Sequence, residues 1–126
     1  MSYEVGVVGH FQAQHHLVGN FGPASEPHAH DYRVDASVTG DDLRADGTLF
    51  DITLLQSALR ETLGQLDGRD LNEIEPLATP NPTAELVAHY VFERVSPALR
   101  GRGLVSLRVR VWESDDAYAS YSRALG

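Results

Sequence analysis

Residues 28–39 read His-Ala-His-Asp-Tyr-Arg-Val-Asp-Ala-Ser-Val-Thr, and this stretch decides the fold. His28, His30, Tyr32, Val34, Ala36 and Val38 fall on every second position, so on a strand they share one side. Gly40-Asp41-Asp42 closes the run with a turn signal. Upstream, residues 19–27 (Gly-Asn-Phe-Gly-Pro-Ala-Ser-Glu-Pro) are loop punctuation. Before them, residues 2–18 predict another strand, with β-branched Val5, Val7 and Val8 and with Phe11, Ala13 and His15 in alternation.

Downstream, Arg44 to Phe50 predicts a short third strand interrupted at Asp46-Gly47. Asp51 is a helix cap, because its short carboxylate can accept hydrogen bonds from the first turn. Leu54, Leu55, Ala58, Leu59, Leu63 and Leu66 then recur at three- and four-residue spacing, a helical face ending near Gly68. Residues 69–82 carry Pro76, Pro80 and Pro82 and read as an irregular connection. Asn81-Pro82-Thr83-Ala84-Glu85 opens a second helix, with the Asn81 amide at the cap and proline in the first turn. Leu86, Val87, Tyr90, Val91 and Val95 give its apolar face, ending at Pro97. Residues 104–113 alternate as a strand, and residues 117–123 add a short final one. The predicted order is β-β-β-α-α-β-β in one domain over residues 1–126. That is an α+β fold: a mostly antiparallel sheet of about four strands with both helices on one face.

Composition narrows the chemistry. The chain has 126 residues and a net charge of −8, from 10 basic and 18 acidic residues. General nucleic-acid binding needs cations that release phosphate counterions, so it is disfavoured. No apolar run is long enough to span a bilayer and no signal segment follows Met1. The expected location is the cytoplasm, with no membrane partner. Cysteine is absent, which excludes thiolate nucleophiles and Cys-ligated metals. All ten basic residues are arginine, so Schiff-base chemistry on a lysine is excluded too.

Six histidines remain: His10, His15, His16, His28, His30 and His89. His28 and His30 share a strand face, and an isolated H-x-H pair is commonly a chance surface feature. His15, in phase near the end of the preceding strand, offers a third nitrogen and tips the reading towards a metal. Three imidazoles leave one tetrahedral position open, the pattern of a catalytic zinc. His16 faces away from His15, and His10 and His89 read as surface or packing residues. Among the acids, Glu85 is explained as a first-turn residue unless it faces a pocket. Glu113 is a strand-end rim residue beside Trp112. Asp67 sits at a helix end, where the dipole disfavours a carboxylate, and is the mild misfit.

Together these residues resemble the 6-pyruvoyltetrahydropterin synthase / 6-carboxytetrahydropterin synthase family of the tunnelling fold (T-fold). Phe11-Gln12-Ala13-Gln14-His15 is similar to the family's F-x-A-x-H, and His28-Ala29-His30-Asp31-Tyr32 to its H-G-H-x-Y. Gly47 to Ile52 resembles G-x-v-x-D-F, and Leu66-Asp67 with Leu71-Asn72 match the outer parts of L-D-H-x-x-L-N. Asn81-Pro82-Thr83-Ala84-Glu85 matches N-P-T-x-E, and Val111-Trp112-Glu113-Ser114 looks like V-Y-E-T. Six motifs in order and spacing make the resemblance specific.

The resemblance implies zinc on His15, His28 and His30, and a pterin-like substrate such as 7,8-dihydroneopterin triphosphate. It implies substrate binding by Thr83, Glu85 and Glu113, with Glu113 anchoring the guanidine-like edge of the pterin. It also implies a homo-hexamer, a dimer of trimers with sheets joined edge to edge and pockets between subunits. Two family positions depart: the cysteine is Ala24 here, and the histidine after Asp67 is Gly68. Neither alanine nor glycine transfers protons. Glu26, in the same loop as Ala24, is the first candidate to replace them; Asp67 and His16 are others. Two functions follow. One is an altered lyase or aldolase on a dihydropterin side chain. The other is a non-catalytic pterin- or purine-binding protein with a retained zinc site.

Overall fold

The chain is described here over residues 2–126 by a computed structural model. Strand β1 (Tyr3–His15) pairs antiparallel with β2 (His28–Gly40) along its whole length, from Tyr3 opposite Gly40 to His15 opposite His28. Helix α1 (Ile52–Gly64), the two-residue strand β3 (Arg69–Asp70) and helix α2 (Ala84–Val95) follow. Strands β4 (Ser106–Ser114) and β5 (Ala117–Ala124) complete a sheet of order β3-β1-β2-β4-β5.

The alternation read in the sequence is the core. Val7, Phe11, Tyr32, Val34, Ala36, Val38, Leu107, Val109 and Val111 are buried, and the pairing puts them on one side of the sheet. Both helices cover that side. A β-carbon on Gly9 would lie 2.7 Å from Leu63 Cδ1 of α1, so any larger residue here would force Leu63 to shift. On α2, Phe92 meets Tyr121 of β5 edge-on at 5.0 Å between ring centroids. Leu55, Leu59, Leu66, Val87, Val91 and Phe92 fill the layer between. Each such side chain contributes about 1.5–3 kcal/mol relative to exposure.

Helix α1 starts where expected. Asp51 accepts bonds from Thr53 N (3.0 Å) and Thr53 Oγ1 (2.6 Å), which hold its carboxyl below its usual range. The helical run stops at Gly64, and residues 65–68 turn. Gly68 has φ +74°, a left-handed conformation that favours glycine.

Four expectations need correction. Arg44 to Phe50 is not a strand. Arg44 N bonds Thr48 O, Gly47 N bonds Arg44 O, and the Asp46 carboxylate accepts from Thr48, so the segment closes on itself as a turn. The missing strand comes later: β3 pairs parallel with Ala13 and Gln14, making the order β-β-α-β-α-β-β and the sheet five-stranded and mixed. Asn81 is not the cap of α2. Thr83 is, its Oγ1 accepting from Leu86 N at 3.3 Å. The first strand spans 3–15 rather than 2–18, because Val18 is drawn off to Asn81.

Candidate functional site

The β1–β2 register builds the histidine cluster. His15 stands directly opposite His28, and Ala13 opposite His30, so His30 lies on the diagonal from His15. All three side chains project from the helix-covered side. Their ring centroids are 4.5 Å (His15–His28), 5.1 Å (His15–His30) and 4.8 Å (His28–His30) apart, each pair edge-on. One nitrogen from each lies within 4.8 Å of the others. No carboxylate joins this group among the described residues.

Two of the rings are oriented by main-chain carbonyls. His15 Nδ1 donates to Pro82 O at 2.8 Å, and His28 Nδ1 donates to Glu26 O at 2.8 Å. A carbonyl oxygen only accepts, so the proton sits on Nδ1 and the Nε2 lone pair is free to bind a metal. Burial lowers the His30 pKa below its ordinary value; Glu113 opposes this, and His15 and His28 reinforce it. His30 therefore favours the neutral, ligating form. The donor set fits a borderline metal such as zinc, with one position open.

The segment Asn81 to Glu85 serves this centre at four points. The Asn81 amide holds Val18 through Val18 N to Oδ1 (2.7 Å) and Nδ2 to Val18 O (3.3 Å). Pro82 supplies the carbonyl for His15, and Thr83 caps α2. Glu85, exposed on the first turn of α2, lines a cavity of about 230 Å³ with Glu113, Ala84, Ala117, Tyr118 and Ala119. Glu113 occupies a β-bulge: the β4–β5 register shifts between Trp112 and Ser114. A bulge re-aims the side chain it carries, and Glu113 acts electrostatically on His30 and Tyr32. Two carboxylates in one cavity form an arrangement able to accept paired N–H donors.

Tyr32 packs beside the histidines. It is fully buried, stacked on Phe11 at 4.6 Å and set edge-on to His30 at 5.3 Å. Burial first, and Glu113 second, push its phenol well above the usual range, so it stays protonated.

The other expected residues are elsewhere. Glu26 is exposed, and its main-chain carbonyl, not its carboxylate, is what reaches His28. Asp67 Oδ1 accepts from Gln12 N at 2.9 Å, and Gly68 N donates to Gln12 O at 2.6 Å, so the pair fastens the outer edge of β1. Asp67 lies in a separate groove between β1 and α1 with His10, Arg60 and Leu63. His16 is pinned through its backbone by Asn72, and His89 stacks on Tyr121. The roles of Pro82, Asn72 and Asn81 escaped sequence reading: one is a carbonyl, and the amides act across more than fifty residues.

The sequence profile described as 6-pyruvoyl tetrahydropterin synthase matches residues 4–124. The chain belongs to that family. An Archaeoglobus fulgidus protein provisionally named 6-carboxy-5,6,7,8-tetrahydropterin synthase is 26% identical over 119 residues, covering 94% of this chain and 95% of its own. The fold is that of Caenorhabditis elegans 6-pyruvoyl tetrahydropterin synthase, at TM-score 0.83 and 22% identity, covering 98% of this chain and 96% of that one. It is also that of a Plasmodium vivax 6-pyruvoyltetrahydropterin synthase with a catalytic glutamate replaced by alanine. There the TM-score is 0.78 and the identity 18%, covering 98% of this chain and 99% of that one.

Proposed function

We propose that this family member is a zinc-dependent lyase or aldolase acting on a dihydropterin side chain, that of 7,8-dihydroneopterin triphosphate or a related compound. The observation that carries the reading is the histidine cluster, with Nε2 free on His15 and His28, near a cavity holding both Glu85 and Glu113. Zinc bound by His15, His28 and His30 would supply Lewis acidity towards side-chain oxygens. Glu113 accepts hydrogen bonds from the amino and ring N–H of the pterin. Glu85 and Ala84, at the start of α2, line the same cavity, and Thr83 caps that helix.

Proton transfer falls to Glu26. Its backbone is already fixed beside His28, and a glutamate is the catalytic residue named for the Plasmodium vivax relative. In the aldolase form, its carboxylate would take a side-chain hydroxyl proton as the adjacent carbon–carbon bond breaks to a carbonyl, and return the proton to the carbon that keeps the electron pair. Asp67 would act on a neighbouring subunit's site if the chains assemble as a dimer of trimers. The outer edge of β5 has no strand partner among the described residues, and on the outer side of β1 only Ala13 and Gln14 have one. The location that goes with this reading is the cytoplasm. No helix among the described residues is long and apolar enough to cross a membrane.

The second reading is a pterin- or purine-binding protein without turnover. Ala24 and Gly68 favour it, since neither side chain moves a proton. Incubating the zinc-loaded chain with 7,8-dihydroneopterin triphosphate and following products by mass spectrometry decides between them. A new pterin that disappears on zinc removal establishes the lyase. Intact substrate with measurable pterin binding establishes the second reading.

A further inference from the structure

The uncovered side of the sheet carries a buried carboxylate that the proposed chemistry does not use. Asp35 of β2 is 5% exposed. Its Oδ1 accepts from Arg110 Nε at 2.7 Å and its Oδ2 from Trp112 Nε1 at 2.9 Å. Arg110 is its direct cross-strand partner, and Trp112 is two residues further along β4. Both oxygens are thus committed to one neighbouring strand. The indole is held from other sides as well. Arg33 lies 5.5 Å from its ring centroid and Tyr118 packs against it at 4.5 Å.

Trp112 is the residue before the bulged Glu113. An extra residue in a strand has no ladder partner of its own, so its direction is set by how its neighbours are held. The indole is fastened on the open side of the sheet, and the following carboxylate faces the covered side. A swing of Trp112 would re-aim Glu113 away from its cavity.

We infer that Asp35 is a positioning residue for ligand binding: by clamping Trp112 across the sheet it sets the direction of the Glu113 carboxylate. This rests on the reading of Glu113 as the ligand anchor. It adds a residue on the opposite side of the sheet that touches neither metal nor ligand.

The test titrates neopterin calorimetrically into the zinc-loaded full chain and its variants. Asp35→Asn keeps the size of the side chain and replaces one acceptor oxygen with a donor. Trp112→Phe keeps an aromatic ring and deletes only the indole donor. Asp35→Asn is expected to weaken neopterin binding about 10-fold, the scale of a hydrogen bond to a charged group. Trp112→Phe should weaken it in the same direction. The zinc content and the visible spectrum of the cobalt-substituted protein should not change. Trp112 is the sole tryptophan, so its emission should shift in Asp35→Asn. In a Glu113→Gln background, Asp35→Asn should add less than about 2-fold, because coupled residues are not additive.

Wild-type affinity in both Asp35→Asn and Trp112→Phe overturns the proposal while leaving Glu113 as anchor. An equal loss from Asp35→Asn with and without Glu113 overturns it also, since Asp35 would then act by another route. Wild-type affinity in Glu113→Gln itself removes the underlying reading.

Discussion

At the histidine end of the β1–β2 pair, strand register and main-chain carbonyls hold His15 and His28, whereas the two segments expected to move protons bring little side chain to that end. The Ala24 carbonyl accepts from Leu17 N, and the Glu26 carbonyl orients His28, while the Glu26 carboxylate is exposed. Asp67 is engaged with Gln12 N, and Gly68 has only its amide to give. The metal half follows from folding alone, since pairing two strands in register assembles it. On the proposed reading, Glu26 and Asp67 would need a substrate, or a second subunit, to bring them into place. The preassembled histidine geometry costs no reorganisation when a ligand arrives; groups that must be brought into place do.

The largest blow to the comparison is His28→Ala. An outer partner of a metal ligand is worth about 10–100-fold in affinity, so loss of a ligand itself should exceed about 100-fold. Competition with a chelator measures it, and turnover should fall to background. Stoichiometric zinc in that variant would mean that the cluster is not the metal centre. Next comes Glu26→Gln, which should retain zinc and pterin but lower turnover about 10²–10⁴-fold, the usual share of a general acid–base group. A variant of undiminished rate would move the proton acceptor to Asp67 or His16.

A smaller effect sharpens the same contrast. Gly68→His restores the family's residue type but puts a β-carbon at φ +74°. The cost should be about 1–2 kcal/mol, read as a melting point lower by several degrees. Turnover should not rise, because Asp67 remains bonded to Gln12 N. A faster and equally stable variant would show that the proton half is one residue short rather than differently built.

What was legible in the sequence follows the same division. The alternation from His28 to Val38 and the in-phase His15 located the sheet face and the three metal candidates, because a two-residue period maps directly onto geometry. The Asp51 cap was equally local. The Arg44–Phe50 segment misled because β-like composition was outweighed by the Asp46 turn bonds. Strand β3 was illegible: two residues carry no period, and it exists because Asp67 and Gly68 fasten Gln12. Glu85 looked like a dipole acid, and only the position of α2 against the β4 bulge brings it to the cavity with Glu113. Asp35 carried no local signal, since its partners are 75 and 77 residues away.

The smallest expected effect concerns His30. Its folded pKa is lowered, chiefly by burial, from an ordinary value of 6.5. A histidine of this kind binds its proton more readily in the unfolded chain. Its neutral form therefore contributes stability that is fully present above about pH 6.5 and lost as pH falls through the lower folded value. Solvent reaches the ring, so the contribution is small in the metal-free chain. Zinc should enlarge it, because protons then compete with the metal for all three imidazoles. Melting temperatures of metal-free and zinc-loaded protein between about pH 5 and 8 measure both slopes. The zinc-loaded slope should be the steeper, and each should fall towards acid. Equal slopes would break the comparison at its strongest point, since a cluster built to hold a metal must lose that metal to protons.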